Sequence, residues 1–204
     1  MKILFQGDSI TDCDRDRSDP HDLGPGYPKL TAEILRNEYP DIEFEFINLG
    51  ISAEQTKDVL KRAETDIFDI KPDIMTILLG VNDTWHHIGD KNWVPAERYE
   101  SNYRAILETA KRAGAKIIML EQYVLQAPDM DCFHPDIDEK IQITRKLARE
   151  YADAYIPLDG LFASACVEEG PLYWTEEGVH PTEAGHELIA DYLTDAIAAI
   201  IDNE

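Results

Sequence analysis

Along the chain, short runs of alternating or clustered apolar residues take turns with longer stretches of helical spacing. Residues 3–5 read as a first strand closed by Gly7, and 27–39 carry Leu30, Ile34 and Leu35 at helical spacing. Residues 43–49 alternate around Phe44 and Phe46 as a second strand. Helical segments at 54–62 and 64–70 stop at Pro72, and 74–79 is a near-continuous apolar strand of the kind parallel sheets bury on both faces. Pro95 stands where a helical turn begins, Tyr99, Tyr103, Ile106, Leu107 and Ala110 form one stripe, and Gly114 suits a C-cap. Residues 116–120 predict a fourth strand, 137–151 a helix, 155–158 a fifth strand, and 181 to about 201 a last helix with Ile189, Leu193 and Ile197 on its inner side.

Strands alternating with helices imply an α/β fold in which right-handed crossovers build a parallel sheet sandwiched by helices. A length of 204 residues suits one domain over 1–204. The irregular stretches are 8–25, 80–94, 121–135 and 168–179, and the first three directly follow strands. Ligands of open α/β sheets bind at the carboxyl ends of the strands, so function is expected there.

Composition narrows the classes. An apolar content of 44%, periodically arranged, excludes a disordered chain. Against 19 Lys and Arg stand 41 Asp and Glu, a net charge of −22, which repels phosphate backbones and anionic headgroups and argues against nucleic-acid or membrane-surface partners. The apolar runs are far too short to span a bilayer. The first residues read as a strand, not as an apolar signal segment. Cys13, Cys132 and Cys166 are odd in number and scattered, which fits reduced thiols, so the cytoplasm is the expected compartment.

Four short blocks fall in or beside the loops: Gly7-Asp8-Ser9-Ile10-Thr11, Asn48-Leu49-Gly50-Ile51-Ser52, Gly80-Val81-Asn82-Asp83 and Glu177-Gly178-Val179-His180-Pro181. Acyl transfer needs a nucleophile, a base, a group that orients the base, and donors for a developing oxyanion. A serine just after a central strand, a histidine fixed by a following proline, a glycine N–H and an asparagine amide match those roles. Singly, each has a plainer reading: a turn serine, a loop glycine, a turn pair at Asn82-Asp83, a helix-capping His180. Together and in order they point to chemistry.

With these blocks the chain resembles the SGNH (GDSL-type) hydrolases, whose name records the Ser, Gly, Asn and His found here as Ser9, Gly50, Asn82 and His180. The resemblance runs from about Gly7 to His186. It implies a three-layer α/β/α sandwich with a five-stranded parallel sheet, flavodoxin-like in topology, and needs no cofactor or metal. It further implies that Ser9 attacks an ester carbonyl with His180 as base. The oxyanion would be held by the N–H groups of Ser9 and Gly50 and the amide of Asn82. Within the family the opening through Asp12, with 23–27 and Val81-Asn82-Asp83-Thr84-Trp85, is similar to bacterial esterases that remove acetyl groups from xylan or xylo-oligosaccharides. Where the family places an Asp three residues before the His, this chain has Glu177. Glu177 is expected to orient His180, the alternatives being a Ser-His dyad or reduced activity. Glu176 is one step out of register, and Asp8 and Asp83 read as supports.

Other readings are weaker. Residues 12–17 superficially suggest a calcium loop, but Arg17 and Leu23 stand where such a loop needs Gly and an acid. Asp14, Arg15 and Arg17 are instead candidates for the pocket rim. The histidines show no metal-ligand spacing, and Cys132 with His134 reads as an inert thiol beside a surface histidine. Trp85, Trp93, Trp174, Tyr27 and Tyr123 fall near the proposed site, where aromatic faces can stack on sugar rings. Trp85, Trp174 and Tyr27 are the substrate-binding candidates, although such loops can also meet a second subunit in a homo-oligomer. The expected partner is a small ester, an acetylated sugar in the first instance. A lipase or thioesterase acting on longer acyl chains, or a sugar-binding protein that has lost catalysis, are the other readings.

Overall fold

A computed structural model describes residues 1–203. The chain opens with β1 (Lys2–Gly7) and a single turn α1 (Ser9–Asp12), then α2 (Tyr27–Glu38) and β2 (Glu45–Asn48). Helix α3 (Thr56–Ala63) runs into a π-helical turn (Glu64–Phe68) before β3 (Ile74–Leu78), α4 (Asn82–Trp85), α5 (Ala96–Ala113) and β4 (Lys116–Leu120). After a 3₁₀ turn at Met130–Cys132 come α6 (His134–Tyr151), β5 (Ala154–Ile156), α7 (Leu158–Ala165), α8 (Pro171–Trp174) and α9 (Glu183–Ile201).

The five strands are all parallel, in the order β2-β1-β3-β4-β5. Their two-residue alternation sends Ile3 and Phe5 into a core shared with Tyr27, Leu35, Ile189, Leu193 and Ile197 on α2 and α9. Leu4, Met75 and Ile77 go to the opposite layer with Val59, Tyr99, Tyr103, Ile106 and Leu147 on α3, α5 and α6. Both faces are therefore covered, which is why 74–79 lacks polar alternation. The result is the expected three-layer sandwich. Chain order reverses between β1 and β3, the point where open sheets of this kind bind ligands. Gly7 pairs in register with Leu78, so the segments that carry Ser9 and Asn82 leave the sheet at one edge.

Local departures from the periodicity have local causes. The fifth strand ends at Ile156 instead of 158, because after Pro157 the fully buried Leu158 opens α7. Helix α6 starts one turn early, with Pro135 in its first turn, where a missing N–H costs nothing. The last helix starts at Glu183, capped by Thr182 Oγ1 accepting from the Gly185 N–H at 3.3 Å, while Pro181 bridges back to Thr175. Residues 9–12 and 82–85 are single helical turns, too short to show a period.

Candidate active site

Ser9 is positioned by packing around its turn. A Cβ on Gly7 would lie 2.2 Å from Thr11 Oγ1 and 2.4 Å from the Leu78 carbonyl oxygen, so only glycine lets β1 end this close to its neighbours. Buried Asp8 accepts from the Ile10 N–H at 3.2 Å and caps the turn. Ser9, half-buried, then presents Oγ 3.0 Å from His180 Nε2, a residue 171 positions away.

His180 sits on a loop closed by its own backbone. The Glu176 N–H donates to the His180 carbonyl at 2.8 Å, and the Leu125 N–H donates to the Gly178 carbonyl at 2.8 Å. Gly178 has φ 117, a conformation that disfavours any side chain and turns the loop back on itself. That turn brings Glu177 Oε1 to 2.6 Å from His180 Nδ1 and 3.2 Å from the His180 N–H. A carboxylate only accepts, so Nδ1 carries the proton and the Nε2 lone pair faces the serine hydroxyl. The longer glutamate thus reaches the imidazole, and Trp85 lies beside it with ring centroids 5.4 Å apart.

Ser9, His180 and Trp85 border a cavity of about 480 Å³ whose wall also includes Asn82, Ser52 and Ala53. Asn82 Nδ2 donates to the Glu54 carbonyl at 3.1 Å, which leaves its second N–H for a ligand. Gly50 does not belong to this wall, contrary to the sequence expectation. Its N–H is taken by the Asn48 side chain at 2.9 Å, and its carbonyl accepts two bonds from buried Arg15, each 3.2 Å long. Gly50 is needed because a Cβ there would approach the Asp12 nitrogen to 2.5 Å. The backbone at the cavity is that of Ala53, in the left-handed region at φ 69, and among the described residues its N–H has no acceptor. The sequence hides this position, since the usual glycine signal of a positive φ is missing.

Asp83, also buried, accepts from the Thr56 N–H at 2.9 Å and the Thr56 hydroxyl at 2.7 Å, tying α4 to the start of α3. Burial raises its carboxyl above the ordinary value, against the pull of those bonds. Burial likewise pushes Asp8 up to about 7, opposed by the Ile10 N–H and by His180. Asp12 shows the converse. Burial works to raise it, but Arg17 and two bonds from Ser52 (2.8 Å from the N–H, 2.6 Å from the hydroxyl) hold it below the ordinary value. Of the rim candidates only Asp14 lines the cavity; Arg15 supports Gly50, and Arg17 pairs with Asp12.

His186 contributes to the wall from α9. Its Nδ1 accepts from the Tyr27 N–H at 3.1 Å, so Nε2 bears the hydrogen and faces Cys13 Sγ at 3.5 Å. Burial drives His186 down to about 4 and, with nearby carboxylates, Cys13 up to about 11, which leaves a neutral thiol beside a neutral ring.

The structure corrects two aromatic candidates. Tyr27 is fully buried, its hydroxyl 2.8 Å from Thr11 Oγ1, and supports the serine turn from beneath. Trp174 lines a different cavity with Tyr173, Leu188 and Tyr192, because α8 packs it along α9. Trp85 lines the Ser9 cavity, while Tyr123 is buried in the core. Cys132 donates to the Asp129 carbonyl at 3.2 Å and His134 pairs with Asp138, so the thiol and the imidazole are engaged separately. Among the described residues no helix is long and apolar enough to cross a membrane.

Comparison with known proteins adds to this geometry. The model of the GDSL-like lipase/acylhydrolase family matches residues 5–188. An acetylxylan esterase of Geobacillus stearothermophilus is 28% identical over 197 residues, covering 93% of this chain and 90% of that protein. A crystal structure of an acetylxylan esterase catalytic mutant from the same organism superposes with a TM-score of 0.88 at 27% identity, covering 96% of this chain and 93% of the other. A structure described as a GDSL-like lipase, from Parabacteroides merdae, reaches a TM-score of 0.88 at 33% identity, covering 96% and 94%.

Proposed function

Since the chain belongs to the GDSL-like lipase/acylhydrolase family, we propose that it is a serine esterase that removes acetyl groups from small sugars or xylo-oligosaccharides. The observation that carries this reading is the Ser9–His180–Glu177 relay, with separations of 3.0 and 2.6 Å. Ser9 Oγ attacks the acetyl carbonyl as His180 Nε2 takes its proton, and Glu177 stabilises the imidazolium. The tetrahedral oxyanion is held by the N–H groups of Ser9 and Ala53 and the free amide hydrogen of Asn82. Collapse expels the sugar alcohol, protonated by His180, and leaves an acetyl-serine. Water activated by the same ring then releases acetate and restores Ser9.

Acetylxylan esterases among the relatives support an acetylated sugar as substrate. The cavity supports it too: Asp14, Ser52, Asn82 and Glu176 on its wall can hydrogen-bond sugar hydroxyls, and Trp85 offers an aromatic face beside His180. The cytoplasm suits the three free cysteines. Glu177 reaches His180, so its replacement of the family Asp gives no reason to infer lost catalysis. Hydrolysis of p-nitrophenyl acetate by wild type, Ser9→Ala and His180→Ala tests the proposal. Turnover is expected to be lost in both variants, and wild-type rates in either would reject it. A preference for octanoyl over acetyl esters would move the assignment to the lipase class.

A further inference from the structure

Two carboxylates enter the Ser9 cavity that the ester chemistry does not use. Asp14 and Glu176 both line it, and both are exposed. Their backbones are fixed: Asp14 follows α1 in the left-handed region at φ 55, and the Glu176 N–H is bonded to the His180 carbonyl. Both charges act on the Cys13 thiol on the same wall. Among the described residues neither carboxylate forms a salt bridge, although Asp12 and Glu54, next in sequence to the wall residues Cys13 and Ala53, both do. No Lys or Arg lines the cavity. The other titratable groups on the wall, His180 apart, do not offset the two charges. His186 is held down to about 4 and Cys13 up to about 11, while His86 is kept below its ordinary value by burial, His87 and Lys57.

We infer that Asp14 and Glu176 are specificity-determining residues that select esters by charge, favouring substrates with an ammonium group over neutral ones and neutral ones over those with a carboxylate. The inference rests on the serine-esterase reading and names the substrate class of that site. In a cleft wall, two unit charges about 7 Å apart at an effective dielectric of about 40 shift an equilibrium by roughly tenfold. Salt screens such exposed charges over about 10 Å at 0.1 M. A glucuronate substituent next to the acetyl group would therefore be disfavoured, and an amino sugar accepted.

The test uses two matched pairs: acetylcholine against its neutral isostere 3,3-dimethylbutyl acetate, and acetylated methyl glucuronide against acetylated methyl glucoside. The readout is the ratio of kcat/KM within each pair, so a general loss of activity in a variant cancels. Wild type is expected to prefer acetylcholine, and the glucoside, by about three- to tenfold. Both ratios should approach one in Glu176→Gln combined with Asp14→Asn, and shrink in 0.5 M NaCl. Unchanged ratios in the double variant, with the neutral esters still turned over, would overturn the charge filter and leave the esterase reading standing. A wild type that turns over none of the four esters would bring down both.

Discussion

Ser9 stands on a turn whose atoms are almost all buried, fixed by Gly7, Asp8, Thr11 and Tyr27 packed from β1 to α2. His180, half-buried, instead stands on a loop held by a few backbone bonds, the buried Val179 and one carboxylate. The proposed nucleophile is thus part of the core, while the proposed base is attached to it. A defect on the serine side is expected to appear first as lost stability, and one on the histidine side as lost rate.

Four measurements press on that contrast, from the largest effect to the smallest. Glu177→Gln keeps the shape but removes the charge that fixes the imidazole. It should lower kcat on p-nitrophenyl acetate by about 10³–10⁴ while the urea midpoint barely moves. A large loss of stability would show that the loop belongs to the core after all. Gly7→Ala drives a methyl into the Leu78 carbonyl and Thr11, and should cost about 3 kcal/mol in urea unfolding, with activity falling alongside. A stable Gly7→Ala protein would contradict the buried turn.

The third measurement is pH. Asp8 titrates at about 7 when folded against 3.8 ordinarily. Between those values the native state binds more protons, so this group makes stability fall as pH rises, by a few kcal/mol in all. His186 is at about 4 against 6.5. The unfolded state binds more protons in that window, so its contribution is full above 6.5 and lost as pH falls toward 4. The two oppose each other. Unfolding midpoints from pH 4 to 7 should climb more steeply with pH in Asp8→Asn and flatten or fall in His186→Gln. Slopes that match wild type in both variants would remove these assignments. Last, Ala53→Gly relieves φ 69 and should stabilise by about 0.5–1 kcal/mol, read as a Tm rise of about 1–4 °C, with acetyl-ester turnover within about twofold. A loss of activity there would mean that the methyl itself is needed in the cavity.

Much of the architecture was legible because a sheet covered on both faces leaves no polar alternation, as at 74–79, and because Pro72, Pro95 and Gly114 punctuate the helices. Glu177 could be picked out only through the family resemblance, which places an acid three residues before the histidine, and the glycine between them turns its carboxylate back onto the ring. Gly50 was misleading for an instructive reason. A glycine in a loop can mark a close approach instead of a free N–H, and here it marks the approach to Asp12. On the same loop it is Ala53 that lines the cavity, and no local pattern announces its left-handed conformation. Trp174 and Tyr27 lie close in sequence to Pro181 and to the serine loop, but tertiary packing decides where they point: α8 lays one along α9, and the core takes the other.

The pairing of Ser9 with a partner 171 residues downstream also bears on synthesis. The serine leaves the ribosome 171 residues before the imidazole does. If the proposed roles hold, a nascent chain stalled before residue 180 carries an alcohol with no base, and is inert toward esters however well its early strands have formed. On the proposed esterase reading, hydrolysis would switch on only once residue 180 has emerged and docked, so the onset of ester cleavage could serve as a clock for the docking of that loop.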